Sequence, residues 1–215
     1  MSIAVVVSGL LAIVAYLLGA IPTGYLAGKY LQGIDIREHG SGSTGATNVL
    51  RTLGKPAAIA VLAIDLLKGA IAVALVKGIY GRGDFLPASW QAWLVVIAGL
   101  AAIVGHSRSI FLNFTGGKSV ATSLGVLLVM NPIVGLGVLG TFLLMLGISR
   151  IVSVSSISGA IAVNVLMIVL KQPLPYLLFA GVAGAYVIIR HRSNISRLLS
   201  GTEPRIGQKL QEGGS

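Results

Sequence analysis

Apolar residues run along this chain in long uncharged blocks parted by short polar stretches, a spacing that predicts helices. An uncharged stretch of about 18 residues or more is long enough to cross a bilayer as a helix. Residues 3–28, 88–105, 119–149, 151–170 and 172–189 meet that description. Residues 56–76 qualify too, although they carry Asp65 and Lys68. Three positions apart, those two charges share one helix face and can neutralise each other. A structural ion pair and a direct substrate contact are both open for them.

The block 119–149 is too long for one span. As a single helix it would reach about 46 Å, against a hydrocarbon core of about 30 Å. Asn131 precedes Pro132 near its middle, and a residue before proline resists helical geometry. Two helices turning at that pair are expected, which makes seven spans in all. The distribution of basic residues agrees. With seven spans, one face collects Lys29, Arg37, Arg51, Lys55, Arg108, Lys118, Arg150, Arg190, Arg192, Arg197, Arg205 and Lys209. The other face keeps Lys77, Arg82 and Lys171, while Lys68 lies inside a span. Basic loops stay in the cytoplasm. The N-terminus is therefore expected outside and the C-terminus in the cytoplasm.

Composition leads to the same class. Of 215 residues, 55% are hydrophobic and only 10% charged, and mean hydropathy is +0.91. A soluble domain carries roughly a quarter of its residues as charges. An all-α polytopic membrane protein is expected, forming a single domain over residues 1–215 with a flexible cytoplasmic tail from about 201. The first block lacks a basic leader and outruns a signal peptide, so it reads as a retained span. There is no cysteine, which excludes disulfides and thiolate chemistry. The net charge of +10 flanks apolar runs and forms no stripe with interleaved aromatics. Anionic lipid accounts for it better than nucleic acid does.

Under this topology every unusual polar cluster faces one side. The first loop holds Gly40, Ser41, Gly42, Ser43, Thr44, Gly45, Ala46, Thr47 and Asn48 in succession, then Arg51. Glycine lets backbone N–H groups approach a ligand, and arginine matches phosphate oxygens with a planar fork. Anion binding is favoured over helix-packing glycines, because charged residues flank the segment. The second loop holds Gly105, His106, Gly116, Gly117, Lys118 and Ser119. Its Gly-Gly-Lys-Ser ending resembles a P-loop, but Leu112 stands where the upstream glycine is required, so no nucleotide is expected. Lys118 still suits a single phosphate. His106 is either structural or catalytic. Ser153, Ser155 and Ser156 either cap the next helix or reach a ligand. The tail opens with His191 and Asn194, one helical face apart by three residues, or else a basic membrane-flanking patch.

Together these residues resemble the bacterial membrane glycerol-3-phosphate acyltransferases that use acyl-phosphate as donor, the PlsY type. The likeness runs to about Arg205. It is carried by residues 40–51, the helix with Asp65, Lys68 and Gly69, and Gly105 with His106. It continues through residues 114–122 and 152–157, then His191, Asn194, Ile195 and Arg197. The resemblance implies acyl transfer to the 1-hydroxyl of sn-glycerol 3-phosphate, giving lysophosphatidic acid and phosphate in the first step of phospholipid synthesis. It implies an enzyme of the bacterial cytoplasmic (inner) membrane with its site on the cytoplasmic face. Ser41, Arg51, Lys118, Ser156, His191 and Asn194 match residues that line the family's glycerol-phosphate pocket. Ser109, Thr115 and Ser119 depart from the usual proline, lysine and glycine. Ser119 would then either crowd the donor phosphate or cap the helix.

An acyl-phosphate is already activated, so no covalent intermediate, metal or cofactor is expected. Catalysis would rest on positioning and charge stabilisation. Arg51 and Lys118 would offset phosphate repulsion, and N–H groups around Gly42, Ser43, Gly45, Ala46 and Thr47, with Gly116 and Gly117, would hold phosphate. Asn48, Ser156 and Asn194 would orient the glycerol hydroxyls. Either His191 or a substrate phosphate takes the hydroxyl proton. The phosphate is favoured, because Arg190 and Arg192 would depress the imidazole pKa. The competing reading is a phosphate or organophosphate transporter. It is disfavoured by the lack of an evident internal repeat and by polar clusters at span ends. A non-catalytic scaffold would leave those clusters unexplained.

Overall fold

Ten α-helices build the described residues, 3–80 and 86–208, of this computed structural model. Arg82 and Lys209 lie outside them. Helix α1 (Ile3–Ala20) gives way at Pro22 to α2 (Thr23–Gln32), which stops on Gly33 in the left-handed conformation. Short α3 (Ala46–Thr52) leads into α4 (Lys55–Tyr80). Then come α5 (Gln91–Ser107), α6 (Val120–Met130), α7 (Pro132–Ser149), α8 (Val152–Val169), α9 (Leu174–Arg190) and α10 (Arg192–Leu199).

The expected break at Asn131 is present. Asn131 has extended backbone, and its side-chain oxygen accepts from the Val134 N–H at 3.1 Å. Pro132 occupies the first turn, where its missing N–H costs nothing. The two pieces are unequal. Helix α6 has 11 residues and α7 has 18, or about 16 and 27 Å. The polar end of α6 is thus recessed by about 10 Å relative to that of α7.

Five helical stretches are long and apolar enough to cross a membrane: Ile3–Gln32, Lys55–Tyr80, Ala88–Ser107, Pro132–Ser149 and Val152–Val169. Leu174–Arg190 with Arg192–Leu199 makes a sixth if its 58° bend is taken within one span. Helix α6 is apolar but short. Large aliphatic side chains such as Leu10, Ile59, Leu144 and Ile168 stay exposed along these helices, as a lipid-facing surface requires.

Helices α5, α6, α7, α8 and α9 touch in a closed ring, each meeting the next and α9 returning to α5, while α1 and α4 pack beside α5. Glycine permits the tightest crossing. A Cβ at Gly69 of α4 would strike the Thr122 carbonyl, and one at Gly125 of α6 would strike the Leu66 carbonyl. At one end of the bundle Lys77 Nζ donates to the carbonyls of Val129 (2.6 Å) and Met130 (3.2 Å), and Asn131 Nδ2 donates to Gln172 (2.7 Å). The opposite end gathers residues 33–54, 108–119, 150–151 and 191–208. Asp65 lies deep between these ends. It takes Lys68 Nζ at 2.8 Å and the Thr23 hydroxyl at 2.6 Å. The ion-pair reading of Asp65 and Lys68 therefore fits the packing. Single cysteines at the exposed His39, Thr115 and Ser193 should react with an impermeant thiol reagent from one side of the membrane. One at Lys171 should react only from the other side, and labelling of all four from a single side would contradict this arrangement.

Candidate active site

The first polar loop is closed by one buried amide. Asn48 Nδ2 donates to the carbonyls of Ile36 (3.1 Å) and His39 (3.0 Å), and its oxygen accepts from the Ser41 N–H (2.8 Å). The Asn48 amide is thereby spent on shaping the loop. The Gly42 N–H donates to His39 and the Gly45 N–H leans on the Ser43 hydroxyl at 3.4 Å. Ala46 and Thr47 form the first turn of α3, whose N–H groups have no carbonyl within their own helix. Ser41 and Gly42 are exposed, and Arg51 in the last turn of α3 is half-buried.

The second loop is a strap between α5 and α6. The Gly117 N–H donates to the His106 carbonyl at 3.2 Å, and Arg190 spans the carbonyls of Gly116 (3.2 Å) and Gly117 (3.0 Å). A Cβ at Gly116 would strike the His106 carbonyl, and one at Gly117 would strike His106 Nε2. Both glycines are needed for contact with α5, so the pair serves the strap's own seating. His106 Nδ1 stands 3.5 Å from Asp65 Oδ1 and makes no hydrogen bond. Ser119 neither caps α6 nor points outward. Its φ of 62° explains why glycine suits the position, and its buried hydroxyl donates to Ile103 at 2.8 Å. Ser109 bonds the Ala20 carbonyl at 2.6 Å. Thr115 accepts from Arg37 at 3.3 Å, so a cation reaches this position although its side chain is neutral.

Held this way, the strap sends Lys118 to the side-chain oxygen of Asn194. Asn194 in turn donates to Glu203 Oε1 at 2.6 Å, which also takes the Ser153 hydroxyl at 2.8 Å. Arg197 Nε completes the set on Glu203 Oε2 at 2.7 Å. Arg51 feels the fields of both Glu203 and Arg197. Sequence reasoning missed Glu203 and the strap role of Arg190. The signal was faint: one of six acidic residues, placed six after Arg197 in a stretch expected to be loose. Instead Glu203 and Pro204 are buried, and the Ile206 N–H donates to the Arg150 carbonyl at 2.8 Å. A carboxylate facing this many cations is what fastens the segment.

Electrostatics follow from that crowding. Burial alone would raise the Glu203 carboxyl, but hydrogen bonds from Asn194, Ser153 and Arg197 outweigh it and hold it below its ordinary value. Burial, then Arg197, lowers Lys118 to about 8, with Glu203 opposing. Buried His191, just beyond α9, drops to about 4, chiefly by desolvation and with Lys118 adding to the effect. Its Nδ1 lies 2.8 Å from the Val187 carbonyl. In the neutral ring that nitrogen carries the proton, and Nε2 keeps a free lone pair.

Beneath this cluster lies a narrow apolar pocket whose lining includes Val120, Ser123, Ser156, Gly159, Phe179 and Val187. Ser156 donates to Val152 at 2.8 Å, and Ser123 Oγ is buried without a partner.

A bundle of membrane-length helices with a cationic recess over an apolar pocket defines a membrane protein suited to an anion joined to a chain. The family model described as "Glycerol-3-phosphate acyltransferase" matches residues 9–201. The chain belongs to that family. It is 64% identical over 214 residues to a glycerol-3-phosphate acyltransferase of Crocosphaera subtropica, covering 99% of this chain and 100% of the relative. One from Rippkaea orientalis is 68% identical over 208 residues, 96% of each chain. The fold matches a crystal structure of PlsY (YgiH), an integral membrane glycerol 3-phosphate acyltransferase in its glycerol 3-phosphate form. There the TM-score is 0.85 at 40% identity, over 93% of this chain and 96% of that one. The lysophosphatidic acid form matches with a TM-score of 0.81 at 38% identity, over 93% and 95%.

Glu203→Gln should lower thermal stability at neutral pH by about 1.5–3 kcal/mol, the worth of a charged hydrogen bond. Because the folded carboxyl sits below its ordinary value, that contribution is complete above the unfolded pKa and fades as pH falls through the folded one. Melting curves of both proteins should therefore converge in acid. A constant gap at every pH would contradict the role of the charge.

Proposed function

We propose that this protein is a glycerol-3-phosphate acyltransferase that takes its acyl group from an acyl-phosphate. The observation that carries this reading is the juxtaposition of Lys118, Asn194, Arg51 and His191 with an apolar pocket lined by Val120, Ser156 and Val187. Cations bind the phosphates, and the pocket takes the chain. Glycerol phosphate lies between Arg51, Lys118 and the exposed hydroxyl of Ser41, within reach of the first-turn N–H groups of Ala46 and Thr47. Asn194 and Ser156 orient the glycerol hydroxyls.

The 1-hydroxyl oxygen attacks the acyl carbonyl carbon, the carbonyl electrons move to oxygen, and their return breaks the bond to the phosphate oxygen. Lys118 and Arg51 stabilise the negative charge gathering there. Neutral His191 accepts the hydroxyl hydrogen bond at Nε2 and aims the nucleophile. At a pKa of about 4 it is a weak base, so the proton passes to a phosphate oxygen. The chain forms one domain of seven spans, with α6 and α7 as the split pair. Its N-terminus lies outside, and the site faces the cytoplasm of the bacterial inner membrane.

The transporter alternative is poorly served. The polar groups gather at one end of a ring whose middle is apolar, whereas carriers place substrate near the midplane. Purified protein given an acyl-phosphate should release inorganic phosphate only when glycerol 3-phosphate is present, with one lysophosphatidic acid formed per phosphate. Release without acceptor, or vesicle uptake without chemistry, would refute the assignment.

Lys118 must be protonated to hold phosphate, and its pKa is about 8 in the free protein. The proton is retained below that value and lost above it. The kcat/KM for glycerol 3-phosphate should therefore fall above pH 8, roughly tenfold per unit once the loss is complete. Lys118→Arg should remove the decline, because guanidinium does not titrate there. A limb that persists in the arginine variant would assign it to another group.

A further inference from the structure

Thr23, Asp65, Lys68 and His106 are all buried, and none of them touches substrate in the reaction proposed above. They meet at one oxygen, Asp65 Oδ1. The Thr23 hydroxyl donates to it at 2.6 Å, Lys68 Nζ stands 2.8 Å away and His106 Nδ1 3.5 Å away. Lys68 Nζ also donates to the Ile21 carbonyl at 3.0 Å. His106 Nδ1 has no hydrogen-bond partner among the described residues, so the carboxylate it faces is what orients the ring. Apolar residues of similar volume can often replace a buried ion pair without loss of stability. Stability alone therefore does not account for these charges.

Both loops of the candidate site rest on this cluster. Thr23 opens α2, and one face of α2 carries the first loop. A Cβ at Gly24 would strike the Thr44 carbonyl, and one at Gly28 would come within 3.1 Å of the Ile34 carbonyl oxygen. On the other side, His106 Nε2 fills the space that a side chain on Gly117 would need, and the His106 carbonyl takes the Gly117 N–H at 3.2 Å. Arg51 follows Thr44 through α3, and Lys118 is the residue after Gly117. We propose that Asp65 is a positioning residue that acts through Thr23 and His106. It holds the first loop and the strap in register, and so sets Arg51 and Lys118 relative to each other. The consequence for catalysis rests on the acyltransferase reading above, whereas the registration of the loops does not.

The test compares the unmutated chain with Asp65→Leu combined with Lys68→Met, which removes both charges and leaves neither buried alone. This double variant should melt near the temperature of the unmutated protein. Spin labels on cysteines placed at the exposed His39 and Phe111, in a chain with no cysteine of its own, report the separation of the two loops. Pulsed electron paramagnetic resonance should give one narrow distance distribution without the substitutions and a shifted or broadened one with them. In the unlabelled proteins, kcat/KM for glycerol 3-phosphate should fall about a hundredfold, the cost of misplacing a group by about 1 Å, with a raised KM. A merely structural pair would reduce the number of active molecules and leave both KM and the separation unchanged. Thr23→Val and His106→Phe each cut one arm with the ion pair in place, and they decide the matter if the double variant does not fold. Each should broaden the distribution and raise KM, while Thr23→Ser, which keeps the hydroxyl, should match the unmutated protein. Folded variants with unchanged KM and unchanged separation overturn the role of Asp65. Distances that shift as expected in a protein that transfers no acyl group overturn the acyltransferase reading and leave the registration standing.

Discussion

The arrangement depends on one carboxylate keeping several cations close together. Lys118, Arg51 and Arg197 converge where the strap, the first loop and the tail meet. Two like charges 4 Å apart at a protein surface repel by about 4 kcal/mol at an effective dielectric constant of 20. Glu203 offsets that repulsion through Arg197, and through Asn194 it reaches Lys118. The result is a recess that stays cationic yet folded, with its lysine lowered to about 8 and so closer to neutrality than a free lysine. Burial makes the same charges worth more to a bound phosphate than they would be in water. The carboxylate that holds the cations thus sets up the field that, in the proposed function, receives the anion.

Glycine plays a different part here from the one its pattern suggests. A glycine-rich segment beside lysine invites comparison with phosphate cradles, in which the backbone N–H groups face the ligand. In this strap the Gly117 N–H is engaged by His106, and both glycine carbonyls are engaged by Arg190. The glycines bring the strap against α5, and that seating projects the Lys118 side chain. The first loop follows the same logic, with Asn48 consumed in holding it. Both loops contribute rigid placement, and in the proposed function the phosphate is met by a few long side chains instead.

Much of this was legible in the sequence because local chemistry governs it. The all-α membrane class followed from uncharged run length, and the break at Asn131 from proline geometry. His191 and Asn194 share a face because three residues separate them. Other features depend on tertiary contact, which leaves no local mark. Nothing near Glu203 shows that Ser153, fifty residues upstream, will meet it. The inequality of α6 and α7 depends on where the strap is tied, and Ser119 is set by a carbonyl on α5. A left-handed residue after a glycine pair was visible only as a departure from glycine.

The recession of α6 connects charge to chain. A full-length helix would bring its polar end level with Arg150 and carry Lys118 out toward bulk water, where its field would be screened within about 8 Å. Shortened to 11 residues, α6 starts about 10 Å lower. That leaves Lys118 two residues before Val120, which lines the apolar pocket together with Ser156. Under the proposed function, a phosphate held there would adjoin a hydrocarbon chain in the pocket, and the bond joining them would cross the boundary between the two environments. In the proposed chemistry the short helix is therefore as important as the side chains around it.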